Sequence, residues 1–121
     1  MADQVFLPEF PDGLPIGDGW VEVPESAEIR FPFDGSLVAI SPVGNVKLAQ
    51  CAIDEALALR DVVGRLPSHV RRAALTGAHD SIALRRGEFE QLLVLETGKP
   101  VVDCRVAGGR TLRTLLTAAG A

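Results

Sequence analysis

Residues 92–100, LLVLETGKP, restrict what this chain can build more than any other stretch. Residues 88–97 have the length and composition of a short helix whose Phe89, Leu92, Leu93 and Leu95 are too apolar to face water. Gly98 stands where a left-handed C-terminal cap costs least, because that backbone conformation penalises any residue with a Cβ. Pro100 cannot continue a helix, yet its fixed φ suits the first turn of a new one. ETGKP therefore predicts a corner at which one helix stops and another starts, and the chain must pack two helices through it.

Upstream the pattern is extended before it turns helical. Pro8, Pro11 and Pro15 fall within residues 1–19, which read as an extended, poorly ordered arm. Residues 20–23 alternate apolar and polar, as a half-buried strand does. Residues 28–33 and 37–40 are two more short extended runs, and Asp34-Gly35 between them is a hairpin signal because tight turns need positive φ. Residues 20–41 thus form a small β-part that needs something to pack against. From residue 42 the apolar period becomes helical. Asn45 can cap a helix carrying Val46, Ala49, Ile53, Ala56, Leu57 and Val63 on one side, and Leu66-Pro67 ends it. Ser68 is the next candidate cap, opening a helix to Arg86 with Gly87 as its stop. Arg71, Arg72, Arg85 and Arg86 on it read as a solvated face with favourable charges in the last turn. Residues 101–119 form a fourth helix, with Val102, Val106, Leu112, Leu115 and Leu116 inward. Gly108-Gly109 in its middle costs about 1 kcal/mol per glycine relative to alanine, so either the helix bends there or another backbone approaches closely. The fold class is α+β: a small N-terminal β-hairpin, then a helical segment over residues 42–121.

At 121 residues the chain is one domain at most, with a modest core. A net charge of −4 argues against a nucleic-acid or anionic-membrane surface. No apolar run approaches the roughly 20 residues needed to span a bilayer. Cys51 and Cys104 lie far apart in helical patterns and make no disulfide framework, so a reducing cytoplasm is the expected compartment and each thiol reads as a small buried hydrophobe. His69 and His79 have no partners at metal or triad spacing. Neither Gly17-Asp18-Gly19 nor Gly108-Gly109 leads a strand into a helix, as a phosphate-cradling loop must.

Four blocks in order resemble the amino-terminal region of the aldehyde dehydrogenase superfamily. Residues 15–21, PIGDGWV, are similar to the family's opening "IGGEWV" strand; residues 31–38, FPFDGSLV, to its "NPxTGEVI" turn; residues 49–59 to its "AVxAAxxAF" helix; and LLVLETGKP to its helix corner. The resemblance covers about residues 14–120. It implies the N-terminal part of the aldehyde dehydrogenase α/β fold, without its nucleotide-binding or catalytic domain.

The family oxidises aldehydes to carboxylates with NAD or NADP, using a nucleophilic cysteine, a glutamate base and an oxyanion-hole asparagine. All of these lie downstream of the corner in the family, beyond position 121, so the resemblance implies no catalytic residue and no bound cofactor for this chain alone. What it does imply is support. Relatives hold a monovalent cation with two backbone carbonyls before the "NP" turn and an acidic residue before Gly-Lys-Pro, which correspond here to Ile29, Arg30 and Glu96. Oxygen donors of this kind suit a hard cation; a plain helix-end carboxylate is the alternative for Glu96. Phe31 replaces the usual Asn, and its turn loses a side-chain hydrogen bond. The fourth helix of relatives lines the aldehyde tunnel, which would turn Ala107 and Thr111 towards substrate; the alternative is that they only pack. The family's Glu-Val pair is Gly108-Gly109 here.

Two functions remain open. The chain is a catalytically incomplete component of an NAD(P)-dependent aldehyde dehydrogenase, completed by another polypeptide; or it is a non-catalytic interaction module derived from one. Its partner is then a complementing chain or a second copy of itself, with no nucleic acid and no membrane. Val62-Val63, Leu92-Leu93, Val101-Val102 and Leu115-Leu116 bear on this. Neighbouring helical positions point about 100° apart, so these pairs widen the apolar stripe beyond what one small core buries. Exposed apolar surface is expected.

Overall fold

The computed structural model describes residues 13–120. Four strands precede four helices: β1 (Leu14–Ile16), β2 (Gly19–Val21), β3 (Ser26–Arg30), β4 (Leu37–Pro42), α1 (Val46–Gly64), α2 (Ser68–Leu84), α3 (Arg86–Thr97) and α4 (Val101–Gly120). The chain divides into two compact units: residues 1–30 with 36–64, and residues 31–35 with 65–121.

In the first unit two antiparallel hairpins lie ahead of α1. β1 pairs with β2 in the register Leu14↔Val21 and Ile16↔Gly19. Part of the expected arm is therefore ordered strand: residues 14–19 turn through Gly17, at φ +67°, and pair with the tryptophan strand. Residues 1–12 of that arm lie outside the described residues. β3 pairs with β4 from Ser26↔Pro42 to Ile29↔Ala39, then shifts to Arg30↔Leu37. The shift leaves Val38 as the extra residue of a bulge, and Val38 is the hydrophobic side chain that this unit buries, at 4% exposure. α1 starts where the sequence places it. Asn45 Oδ1 accepts the Leu48 N–H at 2.9 Å, satisfying one of the donors that a helix N-terminus leaves open. Leu14 packs over Gly44, where an added Cβ would stand 2.8 Å from Leu14 Cδ1. None of the nineteen residues of α1 is buried.

The second unit is organised by the predicted corner. Gly98 adopts the left-handed conformation, φ 68° and ψ 10°, with its N–H donating to the Val94 carbonyl. The Pro100 carbonyl then accepts the N–H groups of Asp103 and Cys104 at 3.0 and 3.2 Å, opening α4. Thr97 braces the bend: its hydroxyl donates to Leu93 O and accepts the Lys99 N–H. Pro32, in the loop after Arg30, covers Gly98 so closely that a Cβ there would lie 3.3 Å from Pro32 Cβ. The hairpin turn containing Asp34-Gly35 is a longer loop than the sequence pattern suggests. Gly35, at φ +73°, donates its N–H to Phe31 O at 2.9 Å, a backbone bond where the Asn of the resembling turn would use its side chain.

Two helix assignments change. α2 ends at Leu84 rather than Arg86, and Gly87 lies inside the first turn of α3. The joint is Arg85, whose φ of −106° and ψ of 18° are open to any residue. Its N–H closes α2 on Ile82 O while its carbonyl accepts the Glu88 and Phe89 N–H groups, so no glycine is required. On α4 the inward face is not the valine stripe. Cys104 and Ala119 are buried, Gly108, Leu112 and Leu115 half-buried in line with them, while Val102, Val106 and Leu116 are 64%, 50% and 50% exposed. Small residues won the inner face because α2 and α3 both lie against it.

Gly98→Ala should lower stability by about 1–2 kcal/mol, from the positive φ and the Pro32 contact together, whereas Thr97→Ala on the exposed surface should cost under about 0.5 kcal/mol. Denaturant titration reads both; parent midpoints for the two variants would contradict the cap.

Candidate functional site

The most constructed polar feature is on the α3–α4 hairpin. Running back from the corner, Glu90 and Gly108 come level with one another. Glu90 lies across Gly108, where a Cβ would sit 3.1 Å from its Oε1 and 3.4 Å from its Cγ. Arg86 holds it there, Nε donating to Glu90 Oε1 at 2.6 Å while Nη2 donates to the Arg105 carbonyl at 3.1 Å. The Glu90 side chain is only 14% exposed. The glycine pair thus admits side chains from α3 rather than another backbone, and α4 continues through it as one helix. A second arginine, Arg72 of α2, donates through Nε to the Ala119 carbonyl at 3.0 Å, a cation at the negative end of α4. Arg72 and Arg86 therefore tie helices together instead of forming a solvated face. Arg85 stays at the surface, paired with Glu88 and 5.8 Å above the Phe89 ring.

The residues implied as cation ligands fall in separate units. Ile29 and Arg30 end β3 at the bulge, and the Arg30 guanidinium grips Glu28 through Nε and Nη2 at 2.9 and 2.6 Å. Glu96 lies in the last turn of α3 in the second unit, exposed. A carboxylate there opposes the helix dipole by about 0.3–1 kcal/mol. Among the described residues no group of three or more His, Cys, Asp or Glu side chains could hold a metal ion. Ala107 and Thr111 sit one turn apart on α4, half-buried and exposed respectively. Thr111 spends its hydroxyl on the Ala107 carbonyl at 3.2 Å.

The two cysteines lie in different surroundings. Cys104 is fully buried at the corner, Sγ 3.9 Å from Lys99 O. Cys51 is exposed, against the expectation of burial. It borders an open groove of about 390 Å³ with Lys47, Gln50, Asp54 and Glu55. His79 Nδ1 is 2.8 Å from Asp80 Oδ1 on the same helix.

The turn between β4 and α1 is not shaped for a dinucleotide phosphate. The strand-to-helix turn between β4 and α1 has one glycine, Gly44, and Leu14 rather than open space lies beside it. Asn45 already occupies a donor of the helix N-terminus.

The model of the aldehyde dehydrogenase family matches residues 20–121. The chain belongs to the aldehyde dehydrogenase family. An aldehyde dehydrogenase of this family generally uses NAD or NADP. Among curated relatives, a Sinorhizobium fredii protein described as aldehyde-dehydrogenase-like is 33% identical over 92 residues, 72% of this chain and 17% of its own length. The 3,6-anhydro-alpha-L-galactose dehydrogenase of Streptomyces coelicolor is 37% identical over 75 residues, 61% of this chain and 15% of its own length. The chain spans about a sixth of the length of the curated relatives it matches. No solved structure gives a significant match. Among the described residues no helix is long and apolar enough to cross a membrane.

The Glu90–Gly108 contact predicts a coupling. In the parent, Gly108→Ala gains about 1 kcal/mol of helix propensity but must displace Glu90; in a Glu90→Ala background the gain should appear undiminished. A double-mutant cycle by urea unfolding checks it, and additivity of the two substitutions would contradict the contact.

Proposed function

We propose that this chain is the amino-terminal scaffold of an NAD(P)-dependent aldehyde dehydrogenase subunit, catalytically incomplete by itself, and that the rest of such a subunit supplies the cysteine nucleophile, the glutamate base and the dinucleotide site. The observation that carries this reading is the amount of apolar surface left uncovered. On α1, Ile53, Leu57, Leu59, Val62 and Val63 are each half exposed or more, and on α4 so are Val102, Val106 and Leu116. Helices of a self-sufficient domain hide such a stripe, and a monomer rarely shows more than a few hundred Å² of it in one patch. An apolar partner surface, not water, is what these faces fit. Two free thiols, Cys51 and Cys104, suit the reducing cytoplasm in which we place the complex.

The supporting roles proposed for individual residues follow the same logic. A monovalent cation at Glu96 would offset the carboxylate's unfavourable place at the end of α3. Ala107 and Thr111 would line the aldehyde's path only with the rest of the subunit in place. A non-catalytic interaction module would use the same apolar faces, and the assay separates the two.

The test is aldehyde-dependent reduction of NAD or NADP by the purified 121-residue chain, with and without a separately expressed remainder of an aldehyde dehydrogenase subunit. No turnover by the chain alone and turnover on mixing is the expected result. Saturable turnover by the chain alone would overturn the scaffold reading, and a mixture that binds without turnover would favour the interaction module.

A further inference from the structure

We draw no further inference here: the strongest candidate, the exposed apolar stripe of α1 around Ile53, Leu57 and Val63, carries none because nothing in the structure shows what covers it.

Discussion

The left-handed cap at Gly98 is the constraint on which the helical unit depends. Its φ of 68° turns the chain through three residues from α3 into α4, and that sharp reversal sets the two helices side by side from the corner outward. Everything specific about their packing follows from the register it sets. Glu90 is as many residues before the corner as Gly108 is after it, so the carboxylate meets a position without a Cβ. Arg86, one turn earlier, reaches both Glu90 and the Arg105 carbonyl. Cys104, one turn into α4, is sealed at the base of the bend. A longer or looser connection would let the helices slide, and an i, i+4 ion pair worth a few tenths of a kcal/mol on a free helix could not hold them in register by itself.

Both units are nonetheless under-packed. The buried hydrophobic residues among those described are Val38, Cys104 and Ala119, small or medium side chains at one bulge, one bend and one helix end. Full burial of a leucine, isoleucine or valine contributes about 1.5–3 kcal/mol, and α1 and α4 together present nine such side chains at half exposure or more. Covering the part that all nine still expose would contribute on the order of 10 kcal/mol, comparable with the 5–15 kcal/mol by which a typical domain is stable. The proposed scaffold role suits that balance, because a partner surface would then secure the folded state. On the scaffold reading proposed above, the rest of an aldehyde dehydrogenase subunit would supply that surface.

Local signals in the sequence were read well where the backbone itself decides. Asn45, Gly98 and Pro100 each act within one helical turn, and each does in the structure what its chemistry dictates. That β3 pairs with β4 also follows from two short extended runs around Asp34-Gly35, although the six-residue loop between them sets a register those runs do not specify. The differences are partly local and partly tertiary. Pro15 suggested a loose arm, but β2 is near in sequence and pairs with it. Val102, Val106 and Leu116 looked inward because they are apolar, yet packing against two helices favours the narrow side of α4, where Cys104, Gly108 and Ala119 allow close approach. Gly87 looked like a stop, but Arg85 bends without needing one. The Glu90–Gly108 match was legible in principle, since positions equidistant from a helical corner must face each other. The cation and tunnel assignments came from resemblance, and Thr111's bond to Ala107 shows how little of such a role the side chain alone discloses.

The central claim is that the exposed apolar faces are made for a partner. It is tested most directly by size-exclusion chromatography with light scattering on the 121-residue chain at micromolar concentration, with a hydrophobic dye present. The account predicts self-association or strong dye binding by the chain alone, and suppression of both when the remainder of an aldehyde dehydrogenase subunit is added. A compact, dye-silent monomer with a cooperative melt would contradict it.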